Sequence, residues 1–116
     1  MTYKEISTLV ASIGLPYAYY QFPDDTPQAP PFICFLYEDD DDLAADNINY
    51  QRIRRVSLEL YTNSKDFALE NTVETVLNEA GLYYSRSEQY LDSERMMMVV
   101  YEFEVVVTDE QSIEIS

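Results

Sequence analysis

The chain contains no histidine and no tryptophan, one cysteine and only two glycines, and its 22 acidic residues face just seven basic ones. Each shortage excludes a class of function. Histidine is the usual proton shuttle near neutral pH, so His-based acid–base schemes and catalytic triads are out of reach. With no histidine and a single cysteine, Cys34, neither a Cys/His zinc site nor an internal disulfide can be assembled. The two glycines, Gly14 and Gly81, each stand where a helix should stop, which leaves none for a glycine-rich phosphate loop. The scarcity of Lys and Arg gives a net charge of −15. That balance argues against ordinary nucleic-acid binding and against anionic membranes, because both draw affinity from cationic side chains. No run approaches the ~20 apolar residues of a membrane span.

What the chain has in quantity is tyrosine, eleven residues of 116, in a composition that is 47% apolar. This is a globular composition, and the length suits one domain with a real core. We read a single α+β domain over 1–108, followed by a loose acidic tail over 109–116. The first residues pass straight into a helical pattern without a charged leader or apolar run, so no signal peptide is expected. Tyrosine is enriched where protein meets protein. The composition therefore points to a contact-making structural protein rather than an enzyme.

The order of elements follows from periodicity and punctuation. Thr2 and Glu5 have capping-box spacing, and Ile6, Leu9, Val10 and Ile13 recur at helical intervals, which predicts a helix over 2–13 ended by Gly14-Leu15-Pro16. Tyr17 to Phe22 reads as a strand, and the proline-rich Pro23 to Pro31 as a loop. Phe32 to Tyr37 is a second strand, apolar throughout. Glu38 to Asp42 is an acidic turn leading into a long third strand, Ile48 to Thr62. Ser64 is placed to cap a second helix with Asp66 in its first turn, and Leu69, Val73, Val76, Leu77 and Ala80 form its buried stripe. Strands from Tyr83 to Tyr90 and from Met96 to Val107 follow, joined by a tight turn. The expected fold is α-β-β-β-α-β-β: one mostly antiparallel sheet with two helices on one face and a protruding β-hairpin.

Two details of this pattern bear on function. In the third strand Val56, Leu58 and Leu60 share a parity with Arg52 and Arg54, so either a bulge shifts the register or the strand outruns the core. In the second and fifth strands apolar residues fall on both faces, with Met98, Val100 and Val106 opposite the inferred core. A sheet apolar on both sides needs a second cover, and a neighbouring subunit is the expected one. The residues assigned to that contact are Tyr19, Ile33, Phe35, Tyr37 and Tyr61, with Arg52, Arg54 and Arg55.

Catalytic and ligand chemistry finds little support. Asp39, Asp40, Asp41 and Asp42 could bind a divalent cation through carboxylate oxygens, but they lack the spaced ligands and mid-loop glycine of a calcium loop, and a solvated turn is the preferred reading. A weak ion site between subunits is the alternative. The arginines are expected to pair with Glu102, Glu104 or the acidic turn rather than with phosphate. Cys34 lies inside an apolar strand with no base to activate it and reads as a buried thiol. No catalytic, cofactor or metal residue is assigned.

The segments Gly14-Leu15-Pro16-Tyr17-Ala18-Tyr19-Tyr20 and Pro31-Phe32-Ile33-Cys34-Phe35-Leu36-Tyr37 resemble those of small proteins from long-tailed phages and prophages. So do Ala44-Ala45-Asp46 to Tyr50, Leu58-Glu59-Leu60-Tyr61-Thr62 with Lys65-Asp66, and Tyr90-Leu91-Asp92-Ser93-Glu94 before Tyr101-Glu102. The likeness is to the tail terminator or tail-to-head joining (neck) family. It implies a non-enzymatic virion protein, made in the bacterial host cytoplasm, that assembles as a ring, commonly a hexamer. The ring would cap the tail tube and join it to the head connector. Implied partners are the protein itself, a tail-tube protein and a head-connector protein, with no cofactor and no membrane. An acidic ring would let DNA pass without adhering. The acidic turn, richer in Asp than the family pattern, would face the lumen or a partner. The alternative is a small acidic binding module, either a DNA-mimic inhibitor or a host-factor adaptor.

Overall fold

The computed structural model describes residues 1–38 and 51–108. The run Asp39–Asp42, the expected start of the third strand and the tail over 109–116 lie outside the described residues. In chain order the elements are α1 (Tyr3–Ala11), β1 (Tyr17–Tyr19), β2 (Phe32–Tyr37), β3 (Gln51–Thr62), α2 (Phe67–Glu79), β4 (Tyr84–Leu91) and β5 (Met96–Thr108). The five strands make one sheet in the order β1-β2-β3-β5-β4. β1 runs parallel to β2 and the other neighbours are antiparallel. The fold is the expected α+β arrangement, a mostly antiparallel sheet with both helices on one face. The tip of the expected hairpin falls outside the described residues.

Strand alternation decides what is buried. On the helix face Ile33 and Phe35 of β2, Val56, Leu58 and Leu60 of β3, and Val99, Tyr101, Phe103, Val105 and Val107 of β5 join Ile6 and Val10 of α1 and Val73 and Leu77 of α2 in one core. Cross-strand neighbours such as Leu58 and Tyr101, or Val56 and Phe103, sit directly opposite one another in it.

Both helices are held at their ends by side chains. Thr2 caps α1 by accepting from the Glu5 N–H at 3.0 Å, while the Glu5 carboxylate accepts from the Thr2 N–H at 2.9 Å. In α2 the cap is Asp66, not Ser64: its carboxylate accepts from the Leu69 N–H at 3.0 Å. A cap side chain accepts from the N–H of the second or third helical residue, here Leu69, and Ser64 lies too early to serve. At the other end Gly81, at φ 77°, lets the Leu82 N–H reach the Leu77 carbonyl and its own N–H reach Asn78, both at 3.0 Å.

One local expectation is corrected, and one alternative left open by the sequence is decided. The first strand ends at Tyr19 rather than Phe22, because Tyr20 takes a left-handed φ of 73° and turns the chain away. The third strand has no bulge, since its register against β5 is continuous from Gln51 opposite Thr108 to Thr62 opposite Met97. Arg54 therefore does lie on the helix face, among core residues. It stays there with its guanidinium against the rings of Tyr3 and Tyr37, at 5.8 and 5.1 Å from their centroids, and by donating to the Tyr3 hydroxyl at 2.7 Å.

Candidate interaction surface

The face of the sheet away from the helices is closed at one end by aromatic rings. Phe22, just past β1, packs edge-on against Phe32, and Phe32 stacks on Tyr61 at 4.8 Å. Cys34 beside them is 4% exposed. Burial, aided by the Glu59 carboxylate, pushes its thiol up to about 11. Tyr61 donates to Glu59 at 2.8 Å, and burial first, then that bond, raises its phenol above the ordinary value.

Along β3 and β5 the same face lies open. Met98 and Val100 are half-buried, and Ile53 and Val106, directly opposite one another in the ladder, are 56% and 47% exposed. Between these apolar ends lies a charged band. Arg55 pairs with its cross-strand partner Glu104 at 3.2 Å, and the neighbouring Glu102 is exposed. The carboxylates raise the Arg55 guanidinium, Glu104 most of all. Beyond the start of β4 the sheet narrows, leaving an open depression of about 680 Å³ lined by Arg55, Tyr83, Tyr84, Glu102 and Glu104 among others.

The sheet's two outer edges are aromatic. Tyr17, Tyr19 and Tyr20 are exposed at β1, and Tyr83 and Tyr90 at β4, with Tyr83 94% exposed. On the helix face, by contrast, charges serve the fold. Glu70 of α2 is buried between Lys65 and Arg86, Arg86 also reaches Glu74 at 3.3 Å, and Lys65 and Arg86 both meet Glu88. Tyr101, fully buried, donates to Glu74 at 2.9 Å. Burial and that hydrogen bond raise its phenol. This network ties α2 to β4 and β5 and has no counterpart in the sequence reading.

The residues assigned to a subunit contact separate into groups. Ile33 and Phe35 are 0% and 5% exposed beneath the helices. They are core residues, and the correction follows from β2 placing its odd positions, not its even ones, toward α1 and α2. Tyr37 shares that face, edge-on to Tyr3 at 5.1 Å. Tyr19 is half-exposed at the β1 edge, but its hydroxyl accepts from the Tyr37 N–H at 3.0 Å. Tyr61 lies on the far face in the aromatic cluster. Arg55 is there too, paired within the chain to Glu104 as expected, while Arg54 joins the tyrosines. The backbone of Arg52 stands opposite Val107 in β3, and its side chain lies outside the described residues. Sequence reading missed Ile53, Tyr83 and Tyr90. Ile53 had a signal, since its parity matches Ser57 and Glu59 on the polar side of β3.

Asp39, Asp40, Asp41 and Asp42 lie outside the described residues. Among the described residues no group of three or more acidic or cysteine side chains is arranged to hold a metal ion, and no helix is long and apolar enough to cross a membrane. No family model, curated protein or solved structure matches the chain.

Proposed function

We propose that the protein is a non-enzymatic virion structural component, a ring-forming tail terminator or neck protein that caps the tail tube and joins it to the head connector. The observation that carries this reading is where the apolar surface lies: exposed tyrosines line both outer edges of the sheet, and Ile53 and Val106 stand open on its far face. A surface with apolar patches on three sides suits a protein completed by other chains. Edges at opposite ends of one sheet suit a heterologous, head-to-tail contact, the kind that closes into rings. The strong negative charge suits a lumen that DNA traverses without adhering.

Light scattering on the purified protein, alone and with a tail-tube protein, tests the proposal, with electron microscopy of the product. A multi-subunit mass and ring-shaped particles are expected. A monomer at high concentration that forms no ring on tail tubes sinks it. The second reading, an acidic adaptor or DNA mimic, draws on the same charge. It would be favoured by a monomer that captures a basic host enzyme.

A further inference from the structure

We infer that the open far face of β3 and β5 docks a foreign protein surface bearing arginine and aliphatic side chains, rather than a second copy of this chain. The first argument is the composition of that face. Ile53 and Val106 form an exposed apolar pair at one end, and the acidic band of Glu102 and Glu104 lies next to it, with Arg55 its only close cation among the described residues. Two such faces brought together would set carboxylates against carboxylates in a desolvated contact, which costs affinity.

The second argument is an inventory of cations. The chain has seven basic residues. Arg54 is held against Tyr3 and Tyr37, Arg55 already belongs to this face, and Lys65 and Arg86 are committed to Glu70. Lys4 and Arg95 lie apart, in α1 and in the turn before β5. Among the described side chains no basic patch complements this face, which points to another polypeptide as its source. The third argument is shape. The depression that Glu102 and Glu104 line is also lined by Tyr83 and Tyr84, and by Arg55, whose guanidinium already lies against Glu104. Carboxylates flanking an aromatic ring fit a planar guanidinium better than a compact ammonium.

This inference names the partner chemistry of one surface and does not depend on ring formation, so a monomeric protein would leave it standing. The probe is a synthetic peptide in which arginine and valine alternate, titrated into the full-length protein at low salt. Binding is followed by nuclear magnetic resonance. The largest shifts are expected at Ile53, Val100, Glu102, Glu104 and Val106. Replacing both Glu102→Lys and Glu104→Lys should weaken binding by roughly tenfold or more. The control pair Glu79→Lys with Asn71→Lys adds positive charge at exposed positions of α2, away from this face, and should weaken it far less. A third variant, Ile53→Ser with Val106→Ser, should also weaken binding while leaving the circular dichroism spectrum unchanged. Four results would overturn the inference: no binding by the unmodified protein, equal loss in both charge pairs, shifts centred elsewhere, or far-face shifts that appear on concentrating the protein alone.

Discussion

Cys34 and Tyr101 show how a single side chain on each face registers its surroundings. The thiol of Cys34 ionises ordinarily at 9.0 and in the folded protein only near 11. The folded state thus holds this proton more tightly than the unfolded chain, and its contribution to stability is complete below pH 9 and lost as pH rises toward about 11. Tyr61 and Tyr101, both raised, extend the loss to higher pH. Denaturant titrations across this range should show stability falling above pH 9, and Cys34→Ala should flatten the first part of the fall. The same thiol should resist a disulfide reagent at neutral pH and react fully only in denaturant. On the helix face, Arg86→Ala leaves the buried Glu70 carboxylate with Lys65 alone. Breaking a buried pair from one side is costly, and a loss of roughly 3 kcal/mol in denaturant unfolding is expected. A loss below about 0.5 kcal/mol would show that the network contributes nothing measurable.

Among the elements, α2 carries the clearest difference between a sequence signal and its use. Ser64 and Asp66 are both good capping residues, and only the geometry selects Asp66. Asp66→Ala is expected to cost about 1 kcal/mol and Ser64→Ala close to nothing; the reverse order in thermal unfolding would contradict the assignment. β3 shows the converse. Its arginines sit at core parity, and the strand keeps an unbroken register because Tyr3 and Tyr37 accept a guanidinium where an aliphatic side chain would otherwise stand. β1 is a three-residue parallel strand. Its brevity follows from Tyr20 turning out of the sheet, which brings Phe22 over Phe32 and closes one end of the far face.

At the scale of the whole molecule, the exposed tyrosines at the two edges of the sheet are the contacts that the proposed ring requires. Tyr17→Ser, Tyr83→Ser and Tyr90→Ser combined should lower the mass of any assembly by light scattering while shifting stability by no more than about 0.5 kcal/mol per site, as surface changes do. Unchanged assembly would move the contact away from the edges. The order of elements, the single sheet, the helix-face stripe of Val56, Leu58 and Leu60 and the capping box of α1 were all legible in the chain, because they depend on spacing within short segments. The candidate surface was legible only in part. Val100 and Val106 announced themselves by parity, but Ile33 and Phe35 were read as contacts because an all-apolar strand does not reveal which of its faces a helix will cover. Composition by itself determined which side-chain types this chain has to work with and how acidic it is, since those depend only on which residues are present. The tertiary structure alone decided which apolar face stays open, where Arg54 rests and how Glu70 is neutralised, because each joins residues far apart in sequence that local patterns cannot bring together.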